Sequence, residues 1–176
     1  RTNKLLIMKL SPNVTDIVEI AKAAEDEGVD ALSAINTVVG MSIDPWTFKP
    51  KISKKYGGLS GPAIKPVAIA NVFKVSQNVS IPVIGIGGIL TGNDTVEFML
   101  AGAVAIQVGT ANFIEPSKGL TILNELVDFC EKKKIQHHFQ IFHAKVYTTS
   151  KLVCFHMLYQ STIHWFHQNC KNLQRI

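Results

Sequence analysis

The stretch Ile81-Pro82-Val83-Ile84-Gly85-Ile86-Gly87-Gly88-Ile89-Leu90 decides what kind of fold this chain adopts. Its centre, Pro82–Ile86, is an apolar run of strand length with no residue suited to water, the mark of a strand covered on both faces. Two glycines follow, then a helical segment expected from about Asn93 to Leu100. The same phrase recurs downstream: Val104–Val108 closes on Gly109-Thr110 and leads to a helix expected from about Glu115 to Lys133. Upstream it occurs twice more. Leu5–Leu10 closes on the turn signal Ser11-Pro12-Asn13, and Val14, Ile17, Val18, Ala21 and Ala24 then recur at helical spacing up to Glu27, with Gly28 as the C-cap. Ala31–Asn36 reads as the second strand, and Pro62 opens a helix to about Val75. Between them, Thr37–Gly61 shows no clear periodicity. Four strands alternating with four helices predict an α/β fold with parallel pairing. A doubly wound sheet and a piece of a β/α barrel both fit that count, and periodicity alone does not choose.

The chain has 176 residues, 47% hydrophobic and 18% charged, the composition of an ordinary globular protein with a real core. A complete eight-unit barrel needs about 250 residues. The net charge of +5 is unevenly placed. Residues 1–134 are close to neutral, whereas residues 135–176 contain no acid, all six His and four of the Lys and Arg. The positive charge therefore belongs to the tail and gives little support to a nucleic-acid role for the main body. A boundary is expected near Lys134, with a basic, His- and aromatic-rich tail after it. The longest apolar run is about half of the roughly twenty residues that a membrane span needs, so no membrane segment is expected. Cys130, Cys154 and Cys170 form no CxxC pair, which argues against a zinc site or disulfide framework and suits a reducing cytoplasm.

Ligands of parallel α/β folds bind at the C-terminal ends of the strands, where helix N-termini attract anions. The candidates are therefore Lys9, Asn36-Thr37, Gly87-Gly88 and Gly109-Thr110. Glycine lets a backbone approach a phosphate closely and offer its N–H groups. Such glycines also make plain tight turns, but their repetition on adjacent strands favours phosphate. Lys9 ends an apolar strand, a costly place unless it meets an anion or an electron-rich ligand, or snorkels to solvent. Asn36-Thr37 offers amide and hydroxyl groups for a polar planar ring or carboxylate, and equally suits a strand-end turn. Gly57-Gly58-Leu59-Ser60-Gly61-Pro62 lacks the Lys-Ser/Thr of a P-loop and is weak as a generic motif. No His occurs within the four units, Cys130 falls inside the last helix and suits the core, and no catalytic or metal constellation is evident.

At these residues the chain strongly resembles the dihydroorotate dehydrogenase family. The resemblance is carried by Lys9-Leu10-Ser11-Pro12-Asn13-Val14-Thr15-Asp16-Ile17, by Ala34-Ile35-Asn36-Thr37 with Gly40-Met41 and Ile43-Asp44, and by Gly57 through Pro66. Ile84 through Ile89, Ala101-Gly102-Ala103 and Gln107 through Phe113 complete it. It runs from about Leu5 to Lys134 and looks most like the class 1, NAD-linked enzymes, which pair with an iron–sulfur flavoprotein subunit. Dihydropyrimidine dehydrogenase contains a related barrel and is the relative to distinguish. The resemblance implies the C-terminal half of a TIM (β/α)8 barrel with FMN at its mouth. It implies that Lys9 contacts the flavin ring system, that Ile35 and Gly61 line the FMN, and that Gly87, Gly88, Gly109 and Thr110 surround its phosphate. It implies that Asn36 and Thr37 bind the orotate ring.

The family reaction oxidises dihydroorotate to orotate: a base removes a proton from one ring carbon while hydride passes to the flavin. In class 1 enzymes the base is a Cys from the first half of the barrel, so no catalytic residue is assigned within this sequence. The expectation is a cytoplasmic chain that holds cofactor and substrate, depends on the other half-barrel for activity, and is otherwise aggregation-prone or homo-oligomeric. The alternatives are a non-catalytic FMN- or phosphate-binding fragment and a barrel fragment related to dihydropyrimidine dehydrogenase.

Overall fold

The computed structural model describes residues 4–135. Of the tail expected as a separate region, residues 135–176, all but the first residue lie outside the described residues, with its six His and two of the Cys. Four strands form one parallel sheet: β1 (Ile7–Leu10), β2 (Ala31–Ala34), β7 (Val83–Ile86) and β8 (Ala105–Gln107). Lys9 pairs with Ser33, Ser33 with Ile84, and Ile86 with Gln107. Their spatial order is β1-β2-β7-β8, the order in which the chain makes them. A doubly wound sheet reverses its strand order to place helices on both faces. Here there is no reversal, so the four units are an arc of a barrel.

The helices follow from local signals. Helix α1 (Ile17–Asp26) starts later than the apolar spacing predicts, because the Asp16 carboxylate accepts from the Val18 N–H at 2.8 Å and caps it there. Its buried stripe is Ile17, Ala21 and Ala24. A 3-10 turn, Pro62–Ile64, leads into α2 (Lys65–Ser76), which buries Ala68, Val72 and Val75. Helix α3 (Gly92–Leu100) opens on a capping box between Thr91 and Asp94. The last helix, expected from about Glu115 to Lys133, is α5 (Lys118–Lys132), and a short helix α4 (Ala111–Ile114) that was not expected precedes it. Pro116 divides them by driving Glu115 to extended backbone, φ −138° and ψ 102°.

Leu10, Leu32, Ala34 and Val83 share one face of the sheet by strand alternation, and they pack with α1, α2 and Phe98 of α3 in one core. Lys9, Ser33, Ile84, Ile86 and Gln107 share the other face, the concave side of the arc. Phe98, Leu32, Val72 and Val75 are fully enclosed. Burial of such side chains contributes about 1.5–3 kcal/mol each.

The stretch Thr37–Gly61, without periodicity in the sequence, makes two small antiparallel ladders. Strand β3 (Val38–Met41) pairs with β6 (Tyr56–Leu59), and β4 (Ile43–Asp44) with β5 (Lys49–Pro50). The latter turn is held by Asp44, whose carboxylate accepts from the N–H of Trp46 at 2.8 Å and of Thr47 at 3.3 Å.

Candidate functional site

The C-terminal ends of the four parallel strands and the start of α2 enclose a cleft of about 170 Å³. Pockets that bury a whole drug-sized ligand run to about 300–1,000 Å³; this cleft would take part of one. Lys9 enters from β1, Ile35 and Thr37 from the end of β2, Gly87 and Gly88 from the end of β7, and Gly109 and Thr110 from the end of β8. Gly61 closes it from the turn before α2. Eight of the nine positions singled out in the sequence thus face one space.

Asn36 is the exception. It is exposed and outside the lining, and its Oδ1 accepts from the N–H of its neighbour Thr37 at 2.8 Å. Lys9 lines the cleft but is exposed, so the desolvation penalty that drew attention to it does not arise in this structure. It is the one ionisable side chain among the described residues that line the cleft.

Several lining residues escaped sequence reasoning: Ser60, Ile64, Leu90, Gln107 and Phe113. Gln107 had a readable signal, since it is the polar residue in an otherwise apolar strand. Its Oε1 accepts from the buried Ser33 hydroxyl at 2.8 Å. Ser60 belongs to the Gly-rich loop whose generic form carried no assignment, and Ile64 to the 3-10 turn that follows it.

Two polar networks shape the walls. The Asn13 side chain donates to the Thr37 carbonyl at 2.9 Å and accepts from the Val39 N–H at 2.8 Å, so the loop after β1 fixes the loop after β2. Beneath Gly88, the Lys65 ammonium lies 2.6 Å from Asp94 Oδ1 and 2.8 Å from Glu97 Oε1. Those hydrogen bonds and charges hold the Lys65 pKa above its ordinary value, against the small effect of burial. Burial of Asp94 works to raise its pKa, but the Lys65 ammonium and the N–H groups of Leu90 and Thr91 together hold it below the usual carboxylate value.

The donor set suits a phosphate-bearing ligand. A Cβ built on Gly61 or Gly109 would meet nothing within 4 Å, so open space lies over both backbones. The hydroxyls of Ser60 and Thr110 stand in the lining with them, and Lys9 adds positive charge. Among the described residues no group of three or more His, Cys, Asp or Glu is placed to hold a metal ion. Cys130 packs beside Val96 and Met99 of α3, and burial pushes its thiol pKa up. Among the described residues, no helix is long and apolar enough to cross a membrane.

The family model described as dihydroorotate dehydrogenase matches residues 1–130. The catalytic subunit of dihydroorotate dehydrogenase B (NAD(+)) from Geotalea uraniireducens is 57% identical over 134 residues, which cover 76% of this chain and 44% of that protein. The subunit of the same name from Parabacteroides distasonis is 55% identical over 129 residues, 73% of this chain and 42% of that one. The chain therefore spans less than half the length of these curated relatives. Among solved structures, the crystal structure of DHODH in complex with ferulenol from Eimeria tenella superposes with a TM-score of 0.65 and 27% identity. That match covers 78% of this chain and 37% of the other.

Proposed function

Starting from the premise that this chain belongs to the dihydroorotate dehydrogenase family, we propose that it is the cofactor- and substrate-holding side of such an enzyme. The family is flavin-dependent, and the cofactor is FMN. The reaction served is the oxidation of (S)-dihydroorotate to orotate in pyrimidine biosynthesis, and we assign it to the cytoplasm. The observation that carries this reading is the convergence of two strand-end Gly sites and Gly61 on one cleft with Lys9 at its side.

FMN supplies a hydride acceptor when bound. The chain's own residues bind and orient. Gly87, Gly88, Gly109 and Thr110 surround the phosphate, Ile35 and Gly61 line the flavin, and Lys9 faces the ring system. Thr37 reaches the orotate side, and Asn36 beside it is the second residue assigned to the substrate. The described lining contains no carboxylate, thiol or imidazole, so this cleft positions the reactants and the proton-abstracting base belongs to other barrel units. Strand β1 and the residues before it expose Leu6, Ile7 and Met8 at 48%, 40% and 37%, an open edge that a closed barrel covers. The relatives' designation as catalytic subunits supports a further subunit, and we assign an iron–sulfur flavoprotein to that place.

Titration of FMN into the full chain, followed by flavin fluorescence, tests this. Saturable quenching is expected, with a spectral shift when orotate is added. No quenching at any concentration would remove the proposal.

A further inference from the structure

We infer that Lys65 is a positioning residue for the anion-facing walls of the cleft, acting through Asp94 and Glu97. This rests on the reading that the cleft binds the phosphate of FMN.

Two walls of the cleft come from segments far apart in the chain: the turn at Gly61 that opens α2, and the Gly87–Leu90 loop that precedes α3. They touch at Gly88. A Cβ there would fall 2.8 Å from the Gly61 carbonyl oxygen and 2.9 Å from the Lys65 backbone nitrogen, so the two backbones lie in direct contact. Lys65 ties these segments together. Its backbone stands at the start of α2, and its ammonium reaches Asp94 at 2.6 Å and Glu97 at 2.8 Å, both on α3. Asp94 carries the tie onward. Its Oδ2 accepts from the Leu90 N–H at 2.9 Å and the Thr91 N–H at 2.8 Å, so one carboxylate grips both Lys65 and the loop.

The tie is partly shielded, with the side chains of Lys65 and Asp94 25% and 12% exposed. Charge-assisted hydrogen bonds in such a place are stronger than those on open surface. Lys65 also offsets charge. Without it, Asp94 and Glu97 would place two uncompensated carboxylates behind a loop that must face an anion. Neither Lys65 nor Asp94 lines the cleft, so both act through the backbone and the field, not by contact.

A device of this kind acts on the phosphate and spares the ring. Affinities of the full chain for FMN and for riboflavin, which has no phosphate, separate the two. The wild-type chain is expected to prefer FMN. In Lys65→Met, FMN affinity should fall about tenfold, equivalent to about 1.4 kcal/mol, with riboflavin affinity little changed. Lys65→Arg should restore most of the loss, because it keeps the charge and the donors. Glu97→Gln, at a half-exposed carboxylate, keeps an acceptor for the Lys65 ammonium and removes one negative charge behind the loop. It should raise FMN affinity modestly and leave riboflavin affinity unchanged, a readout that holds even if Lys65→Met folds poorly. Equal losses for both ligands, or unchanged FMN affinity in Lys65→Met and Glu97→Gln, would overturn the inference while leaving flavin binding intact. A wild-type chain that binds neither ligand overturns the functional reading itself, and one without preference for FMN overturns the phosphate site.

Discussion

The Ser33 hydroxyl donates to Oε1 of Gln107 at 2.8 Å across the concave face of the sheet. Ser33 is 2% exposed, whereas Gln107 lines the cleft. With its oxygen engaged, the Gln107 side chain presents its NH₂ group toward other acceptors. Ser33→Ala should cost about 0.5–1.5 kcal/mol, the net value of one such bond, read as a lowered urea midpoint. Flavin affinity should fall with it, since the amide is no longer oriented. An unchanged midpoint and affinity would show the bond to be idle.

Gly88 and Gly109 both line the cleft, but alanine should destabilise the fold only at Gly88. Gly88 has φ +76°, and a methyl there would press on the Gly61 carbonyl and Lys65. Gly88→Ala should lose at least about 1–2 kcal/mol from the left-handed backbone alone, together with flavin binding. Gly109 has no positive φ and no atom within 4 Å of an added Cβ. Gly109→Ala should keep the thermal midpoint of the wild type and weaken FMN, because the methyl occupies space that the ligand would fill. Equal thermal losses in both variants would contradict this contrast.

The contrast also marks what the sequence could and could not reveal. Strand runs, helix faces and the glycines at strand ends are local signals, so the four βα units were legible, and with the family motifs so was half of the cleft lining. Periodicity alone did not choose a barrel arc, because strand order is a property of the whole sheet; the motifs shared with the family did, and the strand order β1-β2-β7-β8 agrees. Thr37–Gly61 was opaque for a different reason: two of its strands have only two residues each, held by a turn around Asp44. The polar ties were hidden by distance along the chain. Asn13 meets Thr37 across 24 residues, Lys65 meets Asp94 across 29, and Ser33 meets Gln107 across 74.

Asn13 offers a prediction on the substrate side. Its side chain holds the Thr37 carbonyl and the Val39 N–H, and thereby the start of β3. Asn13→Ala should cost about 0.5–1.5 kcal/mol, the net value of a hydrogen bond, because Asn13 and its two bonds are exposed and water can take its place. The expected signature is weaker orotate binding to the flavin-loaded chain with FMN affinity nearly unchanged. Equal loss of both ligands would mean that Asn13 supports the whole cleft.

The Lys65–Asp94 pair gives a pH dependence whose sign follows from its two shifts. Asp94 has a folded pKa below its ordinary value of 3.8. Its contribution is therefore complete above that value and is lost as pH falls through the lower, folded one. Lys65 has a folded pKa above 10.5, so its contribution is complete below that value and is lost as pH rises through the higher, folded one. Between these limits the pair should add a constant amount. The groups facing Asp94 are Lys65 from α2, the Thr91 side chain and the N–H groups of Leu90 and Thr91, while Glu97 of α3 shares the Lys65 ammonium. Glu125 from α5 is the nearby acid, engaged with the Gly92 N–H at 2.6 Å. Urea midpoints measured from neutral pH into the acid range should fall for the wild type below pH 3.8. In Asp94→Asn the midpoint should be lower at neutral pH and the acid fall shallower, so the two curves converge at the acid end. Parallel curves would show that another carboxylate governs the acid limb.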